Sequence, residues 1–139
     1  MPDKRCYFVD IKSNQEEDGR LLVVESNSST IPFEIKRIFW VRDVIEGGIR
    51  GQHANKQTRI ILIAISGSCD VIINDGKNET TYHLDNPTKG LFIDKMLWRT
   101  MENFSKDCIL EAICDNHYIP EDEIYDDFEE YLKELRSIK

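Results

Sequence analysis

Short apolar-rich runs recur along the chain, each closed off by glycine, proline, asparagine, aspartate or serine, with turn signals about every eight to twelve positions. Ten candidate strands follow from this rhythm, at 6–11, 21–25, 34–44, 50–54, 59–65, 69–73, 79–84, 90–93, 98–103 and 108–113. So many short strands exceed one small sheet and predict an all-β sandwich or barrel. Asn74-Asp75-Gly76-Lys77 supplies residues that tolerate left-handed backbone for a tight hairpin, Ser66-Gly67-Ser68 supplies another turn, and Asn86-Pro87 breaks a strand.

Two segments depart from alternation. Ile60-Ile61-Leu62-Ile63-Ala64-Ile65 is apolar at consecutive positions, so both of its faces must be covered, in a central strand or at a subunit interface. At the other end, Ile124, Phe128, Tyr131, Leu132 and Leu135 recur at helical spacing after Pro120 and an acidic turn, which predicts an amphipathic helix over about 121–136. One domain spanning 1–139 accommodates all of these elements.

Charge narrows the range of partners. The net charge is −8, and eight acids against Lys133 alone put −7 of it into 121–134. A nearly neutral body beside an acidic helix face offers no basic stripe for nucleic acid and no cationic amphipathic segment for a membrane. No apolar run reaches the roughly 18 residues of a membrane span, and residues 1–10 lack the zones of a signal peptide, so the cytoplasm is the expected location. Cys6, Cys69, Cys108 and Cys114 lack a framework spacing and read as buried thiols, while Cys114 with His117 would be half of a zinc site with no second half. His83 and His117 read as structural residues.

Chemistry concentrates in Arg50-Gly51-Gln52-His53-Ala54-Asn55-Lys56-Gln57-Thr58-Arg59, polar groups that lead straight into the apolar strand. Strand parity puts His53 and Asn55 on one face, where they share a cavity if that face lines a barrel. A histidine and an asparagine bonded to each other at a barrel rim would give the same pattern.

A wider set of motifs resembles a known family. Ile31-Pro32-Phe33-Glu34-Ile35-Lys36-Arg37-Ile38-Phe39-Trp40, Arg50-Gly51-Gln52-His53-Ala54, Ser66-Gly67-Ser68-Cys69, Gly90-Leu91-Phe92-Ile93, Leu97-Trp98 and Phe104-Ser105-Lys106-Asp107-Cys108 together are similar to the dTDP-sugar 3,4-ketoisomerases, or WxcM-like proteins. The similarity runs in order and at near-constant spacing over about residues 20 to 130. It implies an RmlC-like cupin, a double-stranded β-helix (jelly roll), here with the C-terminal helix added. It also implies a homodimer that works without metal or organic cofactor on a dTDP-4-keto-6-deoxyhexose. The ketone would move from C4 to C3 by proton transfer, in the synthesis of deoxyamino sugars for bacterial surface glycans such as O-antigen or S-layer.

The resemblance also implies site residues. His53 matches the first histidine of the family's His-x-His pair and is expected to do the acid–base work. Arg37 and Arg50 match family arginines suited to clamp a diphosphate, and Trp98 matches a tryptophan that lines the sugar pocket or fills the barrel mouth. Four positions depart from the family pattern: Asn55 replaces the second histidine, Phe39 a tyrosine, Arg59 a glutamine and Arg99 a histidine. Asn55 cannot exchange protons near neutral pH, and Arg99 is a permanent cation that can stabilise an enediolate but is a poor acid. With His53, these two complete the expected catalytic set, and Arg37, Arg50, Trp98, Phe39 and Arg59 the expected substrate contacts. The metal-binding positions of a cupin read His53, Asn55, no glutamate and Arg99, a poor set for a divalent cation, so no metal is expected. The competing expectation is a weakened cupin that binds a nucleotide sugar without isomerising it.

Overall fold

The computed structural model describes residues 4–138. Among them lie twelve strands: β1 (Cys6–Asp10), β2 (Lys12–Glu16), β3 (Gly19–Val23), β4 (Arg37–Arg42), β5 (Arg50–Asn55), β6 (Ile60–Ser66), β7 (Cys69–Asn74), β8 (Glu79–Leu84), β9 (Lys89–Ile93), β10 (Trp98–Glu102), β11 (Ile109–Cys114) and β12 (Glu123–Tyr125). A single α-helix, α1 (Phe128–Ser137), follows them. Two five-stranded sheets run β1-β9-β6-β11-β4 and β12-β5-β10-β7-β8, with β2 and β3 as a separate hairpin. From β5 to β11 the chain crosses repeatedly between the two antiparallel sheets, which is the jelly-roll arrangement of a cupin-like barrel.

Alternation builds the barrel interior. Cys69, Val71 and Ile73 of β7 are buried while Asp70, Ile72 and Asn74 are not, and the first three meet Ile60, Leu62, Ala64, Leu91 and Leu110 of the facing sheet. Burying each such side chain stabilises the fold by about 1.5–3 kcal/mol. β6 is central, between β9 and β11. Its second face, Ile61 and Ile63, packs against Ile11, Ile31 and Phe33 of the same chain, which answers the two-sided hydrophobicity of this strand. All four cysteines are buried and unbridged.

The 74–77 turn forms as expected. Asn74 Oδ1 accepts from Gly76 N at 2.8 Å, Asp75 Oδ1 accepts from Lys77 N at 2.9 Å, and Gly76 takes φ +97°. Two strands were not legible in the sequence. β2 is uniformly polar, and β12 lies in the acidic run.

The helix expected over about 121–136 begins instead at Phe128. Pro120–Asp122 is a 3₁₀ turn whose Asp122 side chain is buried, and Glu123–Tyr125 joins the edge of β5. Asp126 turns the backbone through φ +56°, and Asp127 then caps α1 by accepting from Glu130 N at 2.9 Å. Tertiary hydrogen bonds thus claim the first turn that periodicity had assigned to a helix. Among the described residues no helix is long and apolar enough to cross a membrane.

Candidate active site

β5 carries a bulge where it meets β10. Arg99 pairs with His53 and Thr100 with Gly51, so Gln52 is the extra residue. Gly51 at φ +84° and Gln52 at φ +57° make the bend. A Cβ on Gly51 would sit 2.8 Å from Met101 Sδ and 3.1 Å from Arg99 O, so only glycine fits. Past the bulge, His53 and Asn55 face a cavity of about 300 Å³ whose apolar wall is Ile60, Leu62 and Met101. Arg37, Phe39 and Arg99 complete it from β4 and β10, with Tyr118 and Glu123 on the side of the C-terminal segment.

Below the cavity runs a chain of buried polar groups. Arg99, 1 % exposed, donates from Nη1 to Asn55 Oδ1 at 2.8 Å and from Nη2 to Leu97 O at 3.3 Å. Asn55 Nδ2 donates to Asp122 Oδ2 at 2.8 Å. Asp122 also accepts from Thr58 Oγ1 at 2.6 Å and from Gln57 N at 2.5 Å. A guanidinium can only donate and a carboxylate only accept, so the Asn55 amide has one orientation that satisfies both.

Burial brings Arg99 down to about 10, which leaves it cationic at neutral pH. Burial first, and then the Arg99 charge, bring His53 down to about 4, so its imidazole is neutral and able to accept a proton. Arg37 is held between the rings of Phe39 at 5.4 Å and Tyr118 at 5.5 Å, and its Nη2 approaches Cys114 Sγ at 3.6 Å. Among the described residues, three buried side-chain nitrogens have no partner: Arg37 Nε, His53 Nδ1 and Arg99 Nε. All three belong to residues of this cavity. Unpaired polar groups collected in one concavity mark a place completed by a polar ligand.

The family model FdtA, described as WxcM-like, C-terminal, matches residues 4–136. The chain belongs to the FdtA family. A TDP-4-oxo-6-deoxy-alpha-D-glucose-3,4-oxoisomerase of Aneurinibacillus thermoaerophilus is 33% identical over 133 residues, covering 94% of this chain and 95% of that protein. The structure of a TDP-fucose-3,4-ketoisomerase from Campylobacter jejuni is 40% identical with a TM-score of 0.88, covering 96% of this chain and 97% of its own. A mutant 3,4-ketoisomerase from Thermoanaerobacterium thermosaccharolyticum, in complex with TDP-4-keto-6-deoxyglucose, gives a TM-score of 0.93 at 26% identity and covers 99% of this chain and 98% of its own.

Of the positions that the FdtA resemblance singled out, the fold brings His53, Asn55, Arg99, Arg37 and Phe39 into one cavity. Arg50 stands opposite Met101. The bulge therefore turns it to the cavity face, exposed and outside the lining. Arg59 and Trp98 lie elsewhere. Arg59 pairs with Asp115, Nε to Oδ2 at 2.8 Å, and stacks over Phe33 at 5.4 Å. Trp98 lies on the outer face of its sheet, edge-on to Phe128 at 5.3 Å, because Arg99 beside it points inward. Tyr118, Asp122 and Glu123 were missed. The acidic run around the latter two reads as a solvated helix face, and only the pairing of β12 with β5 reveals them.

Proposed function

We propose that this protein is a TDP-sugar 3,4-ketoisomerase, converting a TDP-4-keto-6-deoxyhexose to the 3-keto isomer. The observation that carries this reading is a neutral, half-buried imidazole beside a buried guanidinium in one cavity, in a chain 40% identical to a TDP-fucose-3,4-ketoisomerase.

The chemistry follows from those two groups. His53 takes the C3 proton, which the adjacent carbonyl acidifies, and the C–H electron pair becomes a C3=C4 double bond while the carbonyl electrons move to O4. Arg99, fixed by Asn55 and unable to turn away, stabilises the negative O4. The intermediate then collapses: the hydroxyl proton passes from O3 to O4, the C3 carbonyl forms, and the imidazolium returns its proton to C4. C3 is oxidised and C4 reduced within one molecule, so no external redox partner enters.

The other roles follow from position. Asn55 holds Arg99 and transfers no proton. Arg37, over the rings of Phe39 and Tyr118 with Nε unpaired, offers a planar cation to the diphosphate, and Arg50 adds a second charge at the rim. Phe39 is an apolar wall. Arg59 and Trp98 serve packing, and neither touches the sugar. The whole chain acts as one catalytic domain, in the cytoplasm, within the synthesis of deoxyamino sugars for surface glycans. It works as a homodimer. Large apolar side chains exposed at both edges of one sheet, Phe8 at 45% and Trp40 at 57%, and on the hairpin, Leu21 at 51%, support that assembly.

Proton NMR of TDP-4-keto-6-deoxyglucose with the purified protein in deuterated water tests the reading. Loss of the C3 proton signal with growth of a 3-keto product is expected. Binding of the sugar nucleotide with neither exchange nor product would leave a binding module in its place.

A further inference from the structure

Glu123 is the one carboxylate among the described residues that line the cavity. It lies on β12 opposite Asn55, as Tyr125 lies opposite His53. Opposed residues of an antiparallel pair present their side chains to one face, so Glu123 is a diagonal neighbour of His53, within reach for long side chains. Ile124, between the two, faces the other way into the cluster of Ala54 and Tyr131, which confirms the parity. Asp122, next in sequence, is engaged on both oxygens by three hydrogen bonds. Glu123 makes no side-chain hydrogen bond or ion pair with the described residues.

Isomerisation of a 3-hydroxy-4-ketone moves two protons, one from C3 to C4 and one from O3 to O4. His53 accounts for the first, and Asn55, which cannot exchange protons, leaves the second without a carrier. We infer that Glu123 is a further catalytic residue, the carboxylate that relays the hydroxyl proton from O3 to O4; this rests on the ketoisomerase reading above. As the C3 carbonyl forms, the O3–H bond breaks and its proton goes to a Glu123 oxygen. The resulting carboxylic acid gives that proton to the negative O4, and the carboxylate is restored. Two oxygens on one carbon suit this work, because the groups to be served are neighbouring oxygens of one ring.

The test separates the two protons. Wild type, Glu123→Gln and Glu123→Asp are incubated with TDP-4-keto-6-deoxyglucose in deuterated water, and C3 exchange and 3-keto product are followed by proton NMR. Without the relay, the enediolate still forms and returns to substrate. Glu123→Gln should therefore keep C3 exchange within about threefold while product formation falls about 100-fold. Glu123→Asp, which keeps the carboxylate, should recover product by at least about tenfold over the glutamine variant. Product from Glu123→Gln within about threefold of wild type, or exchange and product falling together in both variants, would overturn the role of Glu123 alone. A wild-type protein that shows neither exchange nor product overturns the ketoisomerase reading and the relay with it.

Discussion

Arg99 donates from Nη1 to Oδ1 of Asn55 at 2.8 Å, at the bottom of the cavity and out of contact with water. The other end of the same amide is held by Asp122. This arrangement gives a physical meaning to an asparagine where the family pattern has a second histidine. A neutral imidazole at that position would also donate to Asp122 with one nitrogen and accept from Arg99 with the other. Locked between an obligate acceptor and an obligate donor, it would be held in one tautomer. Asn55→His should therefore change kcat by no more than about threefold, with the fold retained. A rise beyond about tenfold in steady-state kinetics would show that residue 55 transfers protons in this reaction.

Removing the amide altogether is different. Asn55→Ala leaves the buried Arg99 Nη1 without a partner, at a cost of about 1–3 kcal/mol, and takes from the buried Asp122 Oδ2 one of its two donors, leaving Thr58. Urea unfolding should show a loss of about 2–4 kcal/mol, with turnover falling as Arg99 loses its anchor. A loss under about 0.5 kcal/mol would mean that the chain of bonds from Arg99 to Asp122 does not persist in solution.

With His53 as the base of the proposed mechanism, its protonation sets the acid limit of the reaction. Burial and Arg99 lower it from 6.5 to about 4, and the base must be neutral to act. The acid limb of kcat/KM should accordingly have its midpoint near 4, well below that of an ordinary histidine. The same shift affects stability. Between about 4 and 6.5 the unfolded chain binds a proton at this site that the folded chain does not. This contribution is therefore complete above 6.5 and is lost as pH falls toward 4. His53→Gln should flatten the slope of stability against pH across that window, as chemical denaturation at several pH values would show. An acid limb near 6.5 in the wild-type enzyme would mean that the imidazole is more hydrated than its burial implies.

His53→Asn tests the base directly. Turnover should fall about 100- to 10,000-fold, while affinity for TDP stays within about threefold, because a base acts in the transition state and not on the diphosphate. Calorimetry with TDP beside the NMR assay reads both quantities. Equal turnover in the two proteins would remove His53 from the mechanism.

How much of this was legible follows from which rule governed each residue. Parity within one strand placed His53 with Asn55, and two-sided hydrophobicity placed Ile61 and Ile63 between covered faces, because both depend on local period alone. Asp122 and Glu123 were invisible for the opposite reason. They belong to an acidic segment with helical spacing, and only the pairing of β12 with β5 turns one toward Asn55 and the other into the cavity. Trp98 and Arg59 were placed among the expected substrate contacts because Trp98 matches a family tryptophan and Arg59 stands where the family pattern has a glutamine. The fold gave the inward position of β10 to Arg99, and Asp115 engages Arg59 at 2.8 Å. Arg50 shows the limit of parity. Counting back from His53 puts it on the far face, and the extra residue Gln52 returns it to the near one.

That extra residue makes Gly51 the backbone position on which the site depends. At φ +84° an L side chain is strained, and a Cβ would press on Met101 Sδ at 2.8 Å and on the Arg99 carbonyl at 3.1 Å. The flexible end of Met101 can move, whereas the carbonyl is held in the sheet, so relief has to come from the bulge. Straightening the bulge would shift the pairing that sets His53 opposite Arg99. Gly51→Ala should therefore cost about 1–3 kcal/mol of stability. It should also lower kcat by more than that loss alone can explain at a temperature where the variant remains folded. Circular dichroism melts and turnover at about 20 °C separate the two effects. A variant that melts lower but keeps full kcat would show that the aim of His53 is set by its hydrogen-bonded neighbours on β10 and β12, and not by the bulge.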